Sequence, residues 1–195
     1  MVVAVLKKLG FVVAGYTDPR DRGPLLRAAF LGNDEVLEDL IRKDPSCLAV
    51  LGTGKLDTSP SRMDLQRAVR SLGYRFPTIR SPQAIVNEEV ELGPGTVVFD
   101  GAVVNSGTTV GGWSILNTSS TVEHDCVIGE NVHVAPGATV SGGVRVGDNC
   151  MIGAGATLIH GITVGADCLV GAGSTVVDDL PGPGAYVGSP ARRIS

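Results

Sequence analysis

The residues best suited to chemistry here are three histidines, His124, His133 and His160. A histidine titrates near neutral pH, so it can take a proton from one group and pass it to another. A carboxylate beside it orients the ring and raises its basicity. His124 is followed by Asp125, and that pair has the makings of a general base with its partner. His160 lies 36 residues beyond His124 and reads as a neighbour of the same site with no direct role. The four cysteines, Cys47, Cys126, Cys150 and Cys168, have no C-x-x-C spacing and are too few for a disulfide scaffold. Cys126, Cys150 and Cys168 read as small core residues rather than nucleophiles. With no activated nucleophile in view, a covalent intermediate on the protein is not expected.

The elements that carry these residues follow from a repeat. From Val86, every sixth residue as far as Val176 is Leu, Ile or Val, sixteen positions without a slip. The residue two before is nearly always small or β-branched, as at Thr96, Ala102, Thr108, Ser114, Ser120, Cys126, Ala138, Cys150 and Cys168. The residue one after is often glycine, and 27 of the 195 residues are glycine, roughly twice the usual share. A period of six is neither a helix nor simple alternation. It fits a short strand and a turn, with the aliphatic residue and the one two before it both facing inward. Three such units close an 18-residue triangular coil, and coils stack by parallel pairing about 4.8 Å apart. His124 then falls at a corner, with His160 on the same edge two coils on. His133, one before Val134, points outward from a face.

Residues 1–80 lack the repeat and read as a small α/β unit with a parallel sheet. Val2 to Leu9 reads as a helix and Phe11 to Tyr16 as a strand. Asn33 caps a helix running through Lys43. Cys47 to Leu51 reads as a second strand, Ser61 to Leu72 as a helix, and Tyr74 to Ile79 as a third strand. Residues 81–195 form the β-helix and a C-terminal tail.

Four motifs narrow the reading: Asn117-Thr118-Ser119-Ser120, Val122-Glu123-His124-Asp125-Cys126, His133-Val134-Ala135-Pro136-Gly137 and Val187-Gly188-Ser189-Pro190-Ala191-Arg192. With an α/β unit ahead of a hexapeptide helix, the chain resembles the hexapeptide-repeat sugar acetyltransferases. It looks most like those acetylating UDP- or GDP-4-amino sugars, of the bacillosamine and perosamine type, with sialic-acid O-acetyltransferases as relatives. The resemblance implies a left-handed parallel β-helix behind a Rossmann-like domain. It also implies a homotrimer with sites between subunits, acetyl-CoA as cosubstrate, and a place in surface glycan biosynthesis.

The resemblance assigns roles residue by residue. His124 is the base and Asp125 its partner, where the family more often has Glu. His133, Gly142, Ala154, Ala172 and Arg192 serve the cosubstrate, with Gly142 also a candidate oxyanion donor through its N–H. Asp18, Gly52 and Asn117 serve the sugar nucleotide. A working site is expected to join His124 of one subunit to His133 of its neighbour. One departure stands out. Family members open with a strand and a Gly-rich turn of the form G-x-G/S-G-H, whereas Met1 already lies inside the first helix, so the α/β unit is expected to lack its first strand and phosphate loop.

The remaining classes are constrained by composition. A net charge of -4 disfavours a nucleic-acid grip. No apolar stretch reaches the roughly 18–20 residues of a membrane span, and no signal peptide is visible, so the expectation is a cytoplasmic protein without a membrane partner. β-Helical carbonic anhydrases share the scaffold and bind zinc through three histidines, but the third ligand would fall at Gly165, and no metal is expected. A hydroxyl acceptor, on a sugar or another small molecule, would use the same base. A non-catalytic trimeric hexapeptide-repeat protein is the reading from a different class.

Overall fold

The computed structural model describes residues 1–194. The chain divides into two compact units, Met1–Thr53 with Pro60–Pro77, and Gly54–Ser59 with Thr78 onward. The short segment 54–59 thus belongs with the β-helical unit rather than with the residues on either side of it.

The second unit is built from two-residue strands on three faces. The first face stacks Ile85–Val86, Val103–Val104, Thr121–Val122, Thr139–Val140, Thr157–Leu158 and Thr175–Val176. The second stacks Glu91–Leu92, Thr109–Val110, Val127–Ile128, Arg145–Val146 and Thr163–Val164. The third runs from Ile79–Arg80 through Val97–Val98, Ile115–Leu116, His133–Val134, Met151–Ile152 and Cys168–Val170 to Gly184–Gly188, closing with the antiparallel Ala191–Arg193. Every other pairing on these faces is parallel, and its register is 18 residues within the repeat, as in Val122 against Val104 and Val140. The stack begins one hexad earlier than the apolar series. Ile79–Arg80 pairs with Val97–Val98, with Ile79 buried and Arg80 exposed.

The aliphatic series is the core. Val98, Val104, Leu116, Val122, Val134, Val140, Ile152, Leu158, Val164 and Val170 have no exposed surface at all. The inward residue two before each does more than fill space. Thr96, Thr108 and Ser114 donate their hydroxyls to the carbonyls of Gly111, Glu123 and Gly129, at 2.8, 2.8 and 3.0 Å. Each also accepts a backbone N–H from the coil above, from Ser114, Cys126 and Val132 respectively. Cys126, Cys150 and Cys168 take the same place and donate their thiols to the carbonyls of Ser141, Gly165 and Gly182. Burial pushes the Cys150 thiol up to about 12, which suits a core donor and not a nucleophile.

The corners carry a second period-six signal. Residues 95, 101, 107, 113, 119, 125, 131, 137, 143, 149, 155, 161, 167 and 173 all have positive φ. Glycine, Asn and Asp hold most of these sites, as the left-handed conformation favours. Asp125 is one of them, at φ 58°.

The first unit contains helices α1 (Val2–Lys8), α2 (Val36–Lys43) and α3 (Ser61–Ser71), with strands β1 (Tyr16–Thr17) and β2 (Phe30–Gly32) paired in parallel. Its strands are shorter than the sequence suggests. Of the expected strand Phe11 to Tyr16 only Tyr16 is in β1; Phe11 and Val12 are exposed. The expected strand Cys47 to Leu51 is reduced to a single bridge, Leu48 to Arg75. The third expected strand is split at Pro77, which lacks a ladder N–H: Arg75 serves the first unit and Ile79 the second. Helix α2 starts at Val36, later than an Asn33 cap implies. Asn33 Oδ1 instead accepts the Glu35 N–H at 3.2 Å in a preceding turn. Val69, Tyr74 and Phe76 form a small core, with the Tyr74 hydroxyl donating to the Leu37 carbonyl at 2.9 Å. Among the described residues no helix is long and apolar enough to cross a membrane.

Candidate active site

His124 and Asp125 sit at the corner between the first and second faces. His124 Nδ1 donates to Asp125 Oδ2 at 2.8 Å, and both side chains are well exposed. The left-handed backbone at Asp125 places its short side chain back against the preceding residue. The hydrogen bond to Asp125 raises the pKa of His124 above the ordinary value, against an opposing desolvation, and the charges of Asp125 and Glu123 add to the rise. Nδ1 is engaged, so Nε2 is the nitrogen left to exchange protons.

The coils below and above are shaped to this pair. A Cβ on Gly107, one coil below, would come within 2.6 Å of Asp125 Oδ1. A Cβ on Gly142, one coil above, would come within 2.7 Å of His124 Nε2. Glu123 Oε2 accepts from Asn105 Nδ2 at 2.8 Å, and Asn105 Oδ1 accepts from Asn87 Nδ2 at 2.6 Å. This ladder at 18-residue intervals turns Glu123 toward the coil below. His160 is exposed on the same edge, two coils on.

His133 differs from its expected setting. It does project from the third face, but segment 54–59 covers it, and only 6 % of its surface is exposed. Nδ1 donates to the Lys55 carbonyl at 2.7 Å, and Nε2 lies 3.0 Å from Asn117 Nδ2. The Asn117 amide is oriented by Thr118, whose N–H donates to Asn117 Oδ1 at 2.8 Å, so Nδ2 must be the donor to His133. The ring is therefore the neutral tautomer with its proton on Nδ1. The segment is tied at a second point, Asn149. The buried Lys55 Nζ donates to Asn149 Oδ1, and Asn149 Nδ2 donates to the Thr58 carbonyl at 2.7 Å. Sequence reasoning passed over Lys55 and Asn149. Asn149 does carry a signal, the left-handed corner column with Asn131 below and Asp167 above, to which it is hydrogen-bonded.

The other expected site residues each have local surroundings of their own. Ala154 and Ala172 are exposed at the corner between the third and first faces. Arg192 donates to the Ala191 carbonyl at 2.9 Å and pairs with Asp178 at 3.6 Å. In the first unit, Asp18 accepts the Arg20 N–H at 2.9 Å and Arg22 Nε at 3.3 Å. The Arg20 N–H bond is the main cause holding its carboxyl below the usual range. Gly52 has open space where a Cβ would point, and the next carbonyl, of Thr53, accepts from Arg62 Nε at 3.2 Å. Among the described residues no three of His, Cys, Asp and Glu come together as a metal site requires. One chain thus joins His124, Asp125 and Gly142 at one corner, and His133 with Asn117 on the opposite face.

Residues 143–177 match the family model described as hexapeptide repeat of succinyl-transferase. No curated protein sequence gives a significant match. Among solved structures, a histidine-to-asparagine variant of perosamine N-acetyltransferase from Caulobacter crescentus, in complex with CoA and GDP-perosamine, is 33 % identical. It covers 100 % of this chain and 90 % of its own, with a TM-score of 0.93. The acetyltransferase domain of PglB from Neisseria gonorrhoeae, in complex with acetyl coenzyme A, is 30 % identical over 99 % of this chain and 92 % of its own, with a TM-score of 0.91. WeeI from Acinetobacter baumannii, 24 % identical over 99 % of this chain and 93 % of its own at a TM-score of 0.83, shares the fold. With the mainly β, parallel hexapeptide architecture and this degree of likeness across its whole length, the chain belongs to the hexapeptide-repeat sugar acetyltransferases and is an acyltransferase.

Proposed function

We propose that this protein is an acetyl-CoA-dependent N-acetyltransferase acting on an amino sugar nucleotide, a UDP- or GDP-4-amino sugar, by direct transfer with His124 as general base. The observation that carries the reading is the His124–Asp125 hydrogen bond at 2.8 Å, on a fold shared with a protein solved with CoA and GDP-perosamine.

The chemistry follows from the pair. The sugar amine attacks the thioester carbonyl carbon, and the carbonyl electron pair moves to oxygen. His124 Nε2 accepts the proton the amine loses, while Asp125 keeps the Nδ1 proton and stabilises the imidazolium. When the carbonyl re-forms, the C–S bond breaks, and the imidazolium returns its proton to the departing CoA sulfur. The products are an amide and free thiol, and His124 is neutral again. The Gly142 N–H is the proposed donor to the transient oxyanion.

In this reading Ala154, Ala172 and Arg192 serve the cosubstrate with His133, and Asp18, Gly52 and Asn117 serve the sugar nucleotide. The first unit is a Rossmann-like sugar-nucleotide domain, supported by the parallel pairing of β1 with β2. The helix is left-handed, which its likeness to the perosamine enzyme supports. His124 and His133 lie on opposite sides of one chain, and a homotrimer with sites between subunits brings them together. The setting is cytoplasmic surface-glycan synthesis.

Thiol release with acetyl-CoA and a panel of UDP- and GDP-4-amino sugars tests the proposal. Release that depends on a 4-amino sugar nucleotide is the expected result. CoA binding without release from any of them points to a hydroxyl acceptor. Absence of CoA binding at millimolar ligand makes the protein a non-catalytic member of the family.

A further inference from the structure

Gly142 needs a reason to be glycine. Its φ is not in the left-handed region, so the backbone would accept any residue, unlike neighbouring Gly143 at φ 69°. The space around it is the constraint. A Cβ would stand 2.7, 2.8 and 3.2 Å from Nε2, Cε1 and Cδ2 of His124, and these are the three nearest heavy atoms. The tip of the imidazole of one coil fills the space that a side chain on the next would take.

We propose that Gly142 is a positioning residue for His124: by presenting no side chain, it lets the ring lie along the edge with Nδ1 on Asp125 and Nε2 over the coil above. The inference rests on the proposal that His124 is the base. It differs from a role for the Gly142 N–H, because alanine keeps that N–H and adds only the methyl group. The methyl meets the tip of an exposed ring rather than backbone, so the ring yields and the fold does not. Once displaced, the ring loses its line to Asp125, and Nε2 leaves its place. The charged groups that act on the ring are Asp125, bonded to it, and Glu123, through its charge. Glu123 is held from below by Asn105 and is not touched by the change.

The test is Gly142→Ala in the full chain, read in three ways. Turnover is expected to fall by about 10- to 100-fold, the cost of a displacement near 1 Å, with KM for acetyl-CoA little changed. NMR titration of the His124 Cε1 proton is expected to move down toward the ordinary histidine value. In the His124→Ala background the same substitution is expected to do nothing further, as required of a residue that acts through another. Wild-type turnover, a loss in KM alone, an unmoved titration, an equal loss in the His124→Ala background, or a marked fall in unfolding temperature would each overturn the proposal. If the wild-type protein shows no transfer with any acceptor, the titration alone decides: a downward shift supports the positioning role, and an unmoved curve refutes it.

Discussion

At the scale of single residues, the site is two side chains and two absent ones. His124 and Asp125 meet at 2.8 Å, and glycines below and above leave room for them. Because the hydrogen bond to Asp125 raises the pKa of His124, the base form appears only as pH passes that raised value. Turnover therefore rises with pH to a midpoint above the ordinary histidine value. Asp125→Asn removes the charge that favours the imidazolium, so the midpoint moves down. The plateau falls on the order of 10- to 100-fold, because the ring is no longer held in line. A pH–rate profile of the two proteins checks both. The sign for stability is the opposite: a raised folded pKa contributes stability below the unfolded pKa, and this is lost as pH rises through the folded one. His124 and its neighbour were legible in the sequence because they are adjacent in it. The constraint on Gly142 was not, since its partner is a ring on another coil whose orientation the sequence does not record.

At the scale of elements, the repeat made the β-helix legible almost residue by residue. Each sixth aliphatic position is one rung, and from Thr96 to Ser174 each inward residue before it is buried as the period requires. The α/β unit was legible in its helices and less so in its strands. Apolar runs such as Phe11 to Tyr16 look like buried strands, but β1 extends only over Tyr16–Thr17. Segment 54–59 was illegible for a plainer reason. Its anchors join Lys55 and Thr58 to Asn149, 94 and 91 residues away, with no period connecting them. Asn149→Ala removes an acceptor from Lys55 and a donor to Thr58 while leaving the repeat's aliphatic series intact. Stability should fall by roughly 1–3 kcal/mol, the range for a lost buried hydrogen-bonding group. Amide exchange should quicken across 54–59 more than in the coils, and mass-spectrometric hydrogen exchange would show whether it does.

At the scale of the whole molecule, the two histidines proposed for the site are not in one place on the chain. His124 stands at the corner of the first and second faces, His133 on the third. Mixing separately inactive His124→Ala and His133→Ala chains should restore part of the activity after subunit exchange, because some interfaces then receive one intact residue of each kind. No recovery on demonstrated exchange would place both residues in the same site of one chain. The coils have a further consequence for how such a chain can change length. Corner, wall and core positions are assigned by counting, and every rung meets its counterpart 18 residues away. Removing or adding one whole coil returns each later residue to its own wall. A change of six keeps the core but carries every later residue round to the next wall. A number that is not a multiple of six takes the aliphatic series out of step with the core. The triangular stack thus reads its sequence in a frame, and its tolerance of insertions and deletions is quantised.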